Sequence, residues 1–137
     1  MRQQIFISSV QKEFAGARKA LKDYIEGDPL LGRFFTVFLF EDTAAGDRRA
    51  DDVYLSEIDR ATLYIAVLGR EYGAEDADGL SPTEREYRHA TEQGKHRLVY
   101  VSSDADTARH PKMQSLVARA SGELVRRRFG STPELLA

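Results

Sequence analysis

Four short apolar runs recur along this chain, and each is followed by a segment with helical spacing. The runs are Ile5-Phe6-Ile7, residues 34–40, residues 63–68 and Leu98-Val99-Tyr100-Val101. Residues 34–40 are rich in aromatic and branched side chains, which suit a pleated surface. The run is almost continuously apolar, as expected of a sheet covered on both faces. After the first run, Phe14, Ala17, Leu21 and Ile25 repeat at amphipathic helical spacing over residues 13–26, and Gly27-Asp28-Pro29 stops them. Val53, Tyr54 and Ile58 mark a second helix over residues 50–61. A third runs from Ser81 to about Gln93, closed by Gly94 with Lys95 and His96 beyond it. Met113, Leu116, Val117, Ala120, Leu124 and Phe129 predict a fourth over residues 111–129. Strand–helix alternation with short connections gives a parallel sheet between two helical layers. The expected fold is therefore α/β, a three-layer α/β/α sandwich with four to five parallel strands. Right-handed crossovers bring the ends of the first and third strands together at a switch point, where open α/β sheets bind ligands.

A length of 137 residues is that of one domain. Residues 1–130 are expected to form it. Ser131-Thr132-Pro133-Glu134 reads as another helix start, so residues 131–137 are expected to be the cut beginning of a following helix or linker. Twenty basic residues against 22 acidic give a net charge of −2, which offers no electrostatic case for direct nucleic-acid or anionic-membrane binding. The absence of cysteine excludes disulfides, thiolate metal sites and a cysteine nucleophile. Met1-Arg2-Gln3-Gln4 leads straight into the first strand without a signal-peptide pattern, and no apolar run is long enough to span a membrane. A cytoplasmic location is the expectation.

The stretch Leu80-Ser81-Pro82-Thr83-Glu84-Arg85-Glu86-Tyr87 opens the third helix. Ser81 suits the N-cap, Pro82 the first helical position, and Glu84 completes a Ser-x-x-Glu capping box. Glu86 is left without a structural task. It lies about 200° further round the helix than Glu84 and shares a face with Ala90. A solvated helix glutamate is the plain alternative to a site residue. Three loops should meet at the sheet edge near it. Residues 8–11 supply Ser8 and Ser9, residues 41–49 supply Asp42, Asp47, Arg48 and Arg49, and residues 69–81 supply Gly69, Tyr72, Gly73 and Ser81. A carboxylate, several hydroxyls and an aromatic suit a ribose and its base better than a bare phosphate. No P-loop and no Gly-x-Gly-x-x-Gly follows a strand. The three histidines are scattered, with His89 one turn from Glu86, and a metal site is not expected. Glu75-Asp76-x-Asp78 lacks EF-hand spacing and reads as a solvated loop. Arg126-Arg127-Arg128 reads as a basic helix end that complements the helix dipole.

Ile5-Phe6-Ile7-Ser8-Ser9, Tyr64-Ile65-Ala66-Val67-Leu68-Gly69-x-x-Tyr72-Gly73 and Ser81-Pro82-Thr83-Glu84-Arg85-Glu86-Tyr87-x-x-Ala90 together resemble the domain of unknown function 4062 family. That family is similar to TIR domains and to nucleoside 2-deoxyribosyltransferases, and its members usually begin longer bacterial regulators or signalling ATPases. The resemblance implies a flavodoxin- and TIR-like sheet with strand order 2-1-3-4. Glu86-x-x-x-Ala90-x-x-x-Gly94-Lys95 is similar to the transferase element whose glutamate attacks the sugar carbon, and TIR enzymes that cleave NAD place a glutamate on the same helix. Two departures stand out: Arg88 replaces a transferase glycine, and the Trp-Cys pair of classical TIR domains is absent.

The resemblance implies a catalytic role for Glu86 toward a nucleotide ribose. Ser8, Ser9 and Asp42 are expected to hold ribose hydroxyls or phosphate, Tyr72 to stack on the base, and Arg48 or Arg49 to close over the ligand, with Gly69, Gly73 and Ser81 shaping the site. No cofactor is expected, NAD or another nucleotide being a substrate. Self-association is expected because TIR relatives often act only when assembled. The alternative is a non-catalytic self-association or signalling module that asks no chemistry of Glu86.

Overall fold

In a computed structural model that describes residues 3–39, 50–123 and 126–130, the strands are β1 (Gln3–Ser8), β2 (Phe35–Phe38), β3 (Leu63–Leu68), β4 (His96–Ser102) and β5 (Arg126–Phe129). The helices are α1 (Gln11–Gly27), a single turn α2 (Leu31–Phe34), α3 (Ala50–Arg60), α4 (Pro82–Glu92) and α5 (Pro111–Glu123). All strand pairs are parallel and the order is β2-β1-β3-β4-β5. The expected order of the first four strands stands, and β5 extends it at one edge.

Alternation along the buried strands divides the core in two. Ile5, Ile7, Val37, Ile65 and Val67 face one way and pack against Ala17, Leu21 and Ile25 of α1. Phe6, Tyr64, Ala66, Leu68, Val99 and Val101 face the other way. They meet Ile58 of α3, Tyr87 and Ala90 of α4, and Met113, Leu116 and Val117 of α5. Phe6 pairs directly with Tyr64 and Ser8 with Ala66, so the Ser8 side chain emerges on the α4 side at the end of β1.

Two boundaries differ from the sequence reading. The fourth helix was expected over residues 111–129, but α5 stops at Glu123 and residues 126–129 form β5. Pairing with β4 satisfies one side of their backbone and carries Phe129 into the α1-side core, 6.0 Å between ring centroids from Phe14. Arg126-Arg127-Arg128 therefore lies in an edge strand and not at a helix end. The second strand begins at Phe35, because Asp28 Oδ1 accepts from the N–H groups of Leu30 and Leu31, at 2.8 and 2.9 Å, and starts α2. Among the described residues no helix is long and apolar enough to cross a membrane.

Candidate functional site at the carboxyl ends of β1 and β3

Two helices begin beside the switch point. α1 follows β1 after Ser9 and Val10, and its backbone leaves helical geometry at Phe14, where φ is −120° and ψ 23°. α4 begins as its sequence requires: Ser81 Oγ accepts from the Glu84 N–H at 3.2 Å, with Pro82 just inside. The reciprocal half of the expected capping box takes another form. The Glu84 carboxylate turns to Tyr72, whose hydroxyl donates to Oε1 at 2.7 Å, and to Arg88, whose Nε donates to Oε2 at 2.8 Å. Glu84 is structural, though as the anchor of the loop after β3.

Glu86 points inward on the next turn. It is 5% exposed, so it is no solvated helix glutamate. Ser8 Oγ, buried at the end of β1, donates to Glu86 Oε1 at 2.6 Å. The carboxyl stands on the wall of a cavity of about 270 Å³ lined by Phe6, Ile7, Ser9, Val10, Arg18, Gly73, Ala74, Pro82 and Thr83. That is far more than one water needs and close to the lower end of small-ligand sites. Burial pushes the Glu86 carboxyl up to about 8, and the Ser8 hydroxyl and the Arg18 charge only partly oppose it. Glu86 is thus a carboxyl whose proton is exchangeable near neutral pH.

Ser9 belongs to the same cavity, where its hydroxyl accepts from Arg18 Nη1 at 2.7 Å. Gly73 lines it too, at φ +93°, a conformation that L side chains rarely adopt. Ser81 is buried at the helix cap. Gly69 and Tyr72 are elsewhere. The Gly69 carbonyl accepts from Arg109 Nη1 at 2.8 Å. Tyr72 borders a shallower groove of about 670 Å³ that continues past Gly73 and Ala74. Its ring stacks on His110 with centroids 5.5 Å apart, with Lys112 Nζ 5.8 Å from its centre. Asp42, Arg48 and Arg49 lie outside the described residues. His89 meets Asp59 at 2.7 Å and not Glu86. Asp76 is no idle loop carboxylate: it accepts from the Asp78 and Leu80 N–H groups and pairs with Arg85. No group of potential metal ligands occurs among the described residues.

Two site residues escaped the sequence reading. Arg18 is 3% exposed and occupies a position of the α1 apolar stripe, four residues after Phe14 and three before Leu21. A charge inside such a stripe was its signal. Tyr64 is wholly buried, and Glu86 and Ser8 both act electrostatically on its phenol. Inside an apolar strand run it carried no signal.

The fold and site define a doubly wound α/β domain with a buried carboxyl at its switch point. The chain belongs to the domain of unknown function 4062 family (DUF4062), whose model matches residues 4–134. No curated protein matches it. Among solved structures it is similar to the Clostridium botulinum CMP N-glycosidase BcmB, with 15% identity and a TM-score of 0.60, over 98% of this chain and 95% of that one. It also matches oxidised flavodoxin 1 from Bacillus cereus at 17% identity and a TM-score of 0.40, over 96% of this chain and 84% of that one.

Proposed function

We propose that this domain binds a nucleotide-type ligand in the Glu86 cavity and cleaves its N-glycosidic bond, as a module of a larger regulatory or signalling protein. The observation that carries this is the buried Glu86 carboxyl, held by Ser8 on the wall of a ligand-sized cavity at the sheet's switch point. Supporting it, the chain shares its fold with a protein described as a CMP N-glycosidase. In the reaction the bond between the anomeric carbon and the base nitrogen breaks, and its electron pair leaves with the base. Positive charge spreads over the anomeric carbon and ring oxygen. The ionised Glu86 carboxylate stabilises that charge or bonds to the carbon, and water supplies the hydroxyl that replaces the base. Ser9 and Arg18 supply a hydroxyl and a cation for the polar part of the ligand. Candidate substrates are NAD, other nucleotides and deoxynucleosides.

The test is to incubate the protein, over a range of concentrations, with NAD, NADP, nucleoside monophosphates and deoxynucleosides, and to follow base release by chromatography. Glu86→Gln keeps the shape and removes the charge, and should lower release at least about 10²-fold. The rate in the parent should climb as pH rises through about 8, where Glu86 loses its proton. Release that survives Glu86→Gln would clear the residue of the role.

A second reading, a self-associating module without chemistry, draws on a different face. Tyr24, Leu30 and Phe34 are 48, 65 and 54% exposed around the end of α1 and α2, beside the edge strand β2. Concentration-dependent oligomers with no base release at any concentration would favour it.

A further inference from the structure

Tyr64, the second residue of β3, is fully enclosed. Its ring stacks on Phe6, with centroids 6.0 Å apart at 11°, and meets Tyr87 at 6.4 Å. Packing accounts for the ring but not for the hydroxyl. Among the described residues, Tyr64 Oη is the one buried side-chain polar atom without a hydrogen-bond partner. An unpaired buried hydroxyl costs free energy that a phenylalanine would avoid.

Tyr64 pairs with Phe6 on the sheet face from which Ser8 emerges two residues on, and its ring meets Tyr87, the residue after Glu86, so the side chain stands next to the Ser8–Glu86 pair. Burial raises the Tyr64 phenol well above its ordinary value, Glu86 and Tyr87 raise it further, and Ser8 and Arg97 act in the opposite sense. It therefore remains a proton donor at any physiological pH. Ser8 has one O–H and two lone pairs. The O–H is committed to Glu86 at 2.6 Å. The lone pairs are acceptors, and the Tyr64 hydroxyl is a donor that acts on the same serine.

We propose that Tyr64 is a positioning residue for Glu86: its hydroxyl donates to Ser8 when Glu86 is charged, so that a one-way chain of donors from Tyr64 through Ser8 holds the carboxylate against the cavity. The unmade bond in the resting site is then the difference between the two states of the carboxyl. With Glu86 protonated, the chain has a spare hydrogen. With Glu86 ionised, every donor in the chain finds an acceptor. The groups that face Glu86 are Ser8 from β1, Arg18 from α1 and Tyr64 from β3. On its own helix Tyr87 follows it, engaged by Arg97 Nη1 of β4 at 3.1 Å. Arg18 and burial are untouched by a change at Tyr64, so the effect of its hydroxyl can be isolated.

This role has catalytic meaning only within the N-glycosidic reading, whereas the titration behind it is measurable without a substrate. Carboxyl ¹³C shifts of glutamate-labelled protein are followed against pH, with Glu86→Gln identifying the resonance. Tyr64→Phe should move the Glu86 midpoint upward by about one pH unit, a tenfold loss in ease of ionisation. Ser8→Ala should also move it upward, and the double variant should sit no higher than Ser8→Ala alone, because Tyr64 acts through Ser8. Tyr64→Phe should melt no lower than the parent, whereas a purely structural hydroxyl would lower it. Fluorotyrosine at position 64, a stronger donor with the same ring, should move the midpoint down. A midpoint unchanged in Tyr64→Phe, or a shift that adds in full to that of Ser8→Ala, overturns the relay. Absence of base release would sink the glycosidic reading and leave the titration result standing.

Discussion

At Gly69 the chain passes so close to the start of α1 that a Cβ would sit 2.5 Å from both Glu13 Oε2 and Phe14 Cζ. Glu13 cannot simply swing aside. Its two oxygens accept from the backbone N–H groups of Arg70 and Glu71, at 2.8 and 3.0 Å, and tie the loop after β3 to the helix after β1. Gly69→Ala should therefore cost about 1–3 kcal/mol, as overpacking against a fixed neighbour does. Urea unfolding measures this, and a variant as stable as its parent would dismiss the close-approach account. The same residue shows where a sequence reading of the site stops. Glycine at a strand end fits a ligand loop and a backbone contact equally well, and only the neighbours of Gly69 decide for the contact. Ser8 and Glu86 were legible because each stands at the edge of a well-marked element, where topology alone brings them together. Tyr72 was not, because an aromatic in a glycine-rich loop gives no sign that Glu84 will claim its hydroxyl.

Element by element, α4 follows its local chemistry most closely. Ser81 caps it, Pro82 opens it, and Gly94 at φ +66° closes it, with the Lys95 N–H donating to the Ala90 carbonyl at 3.0 Å. Lys95 Nζ then donates to the carbonyls of Asp59 and Ala61 and so caps α3 as well. Because α4 holds Glu86 over the end of β1, its first turn is also the mount of the site. Ser81→Ala should cost about 0.5–2 kcal/mol in stability. It should also loosen Glu86, visible as faster amide exchange over residues 84–86 while β3 exchange is unchanged. Equal melting temperatures and equal exchange would deny the cap that importance. α5 marks the opposite case. Leu124 continues the helical spacing of Ala120, so the periodicity runs on past Glu123, where α5 ends, although Phe129 falls about 180° round a helix from Ala120. The available warning was Ser121-Gly122, a pair of weak helix formers, but the deciding fact is tertiary: β4 offers an open edge, and Phe129 finds a pocket beside Phe14.

For the whole molecule, Glu86 makes stability a function of pH in an unusual direction. Carboxylates engaged by cations or backbone N–H groups have lowered values and stabilise a fold as pH rises; Asp76, lowered chiefly by Arg85, is of that kind. Glu86 does the reverse. Its ordinary value is 4.5, and burial lifts it to about 8 in the folded chain. Below pH 4.5 the carboxyl is protonated in both states and contributes no difference. Between 4.5 and 8 the folded state retains a proton that the unfolded chain has released, so stability falls at about 1.4 kcal/mol per pH unit. Above 8 both are ionised, and the full cost of a buried charge, a few kcal/mol, is present. Gln at this position never ionises. Glu86→Gln should therefore match the parent's stability near pH 4, gain on it steadily through neutrality, and hold a constant advantage of a few kcal/mol above pH 8. Paired denaturant titrations across that range supply the difference curve, in which every other ionisable group cancels to first order. A flat difference would mean that Glu86 ionises in the fold as easily as in water. A difference that grows as described, alongside loss of base release in the same variant, would place stability and chemistry in opposition at one carboxyl, as expected where a fold holds a charge it would be more stable without.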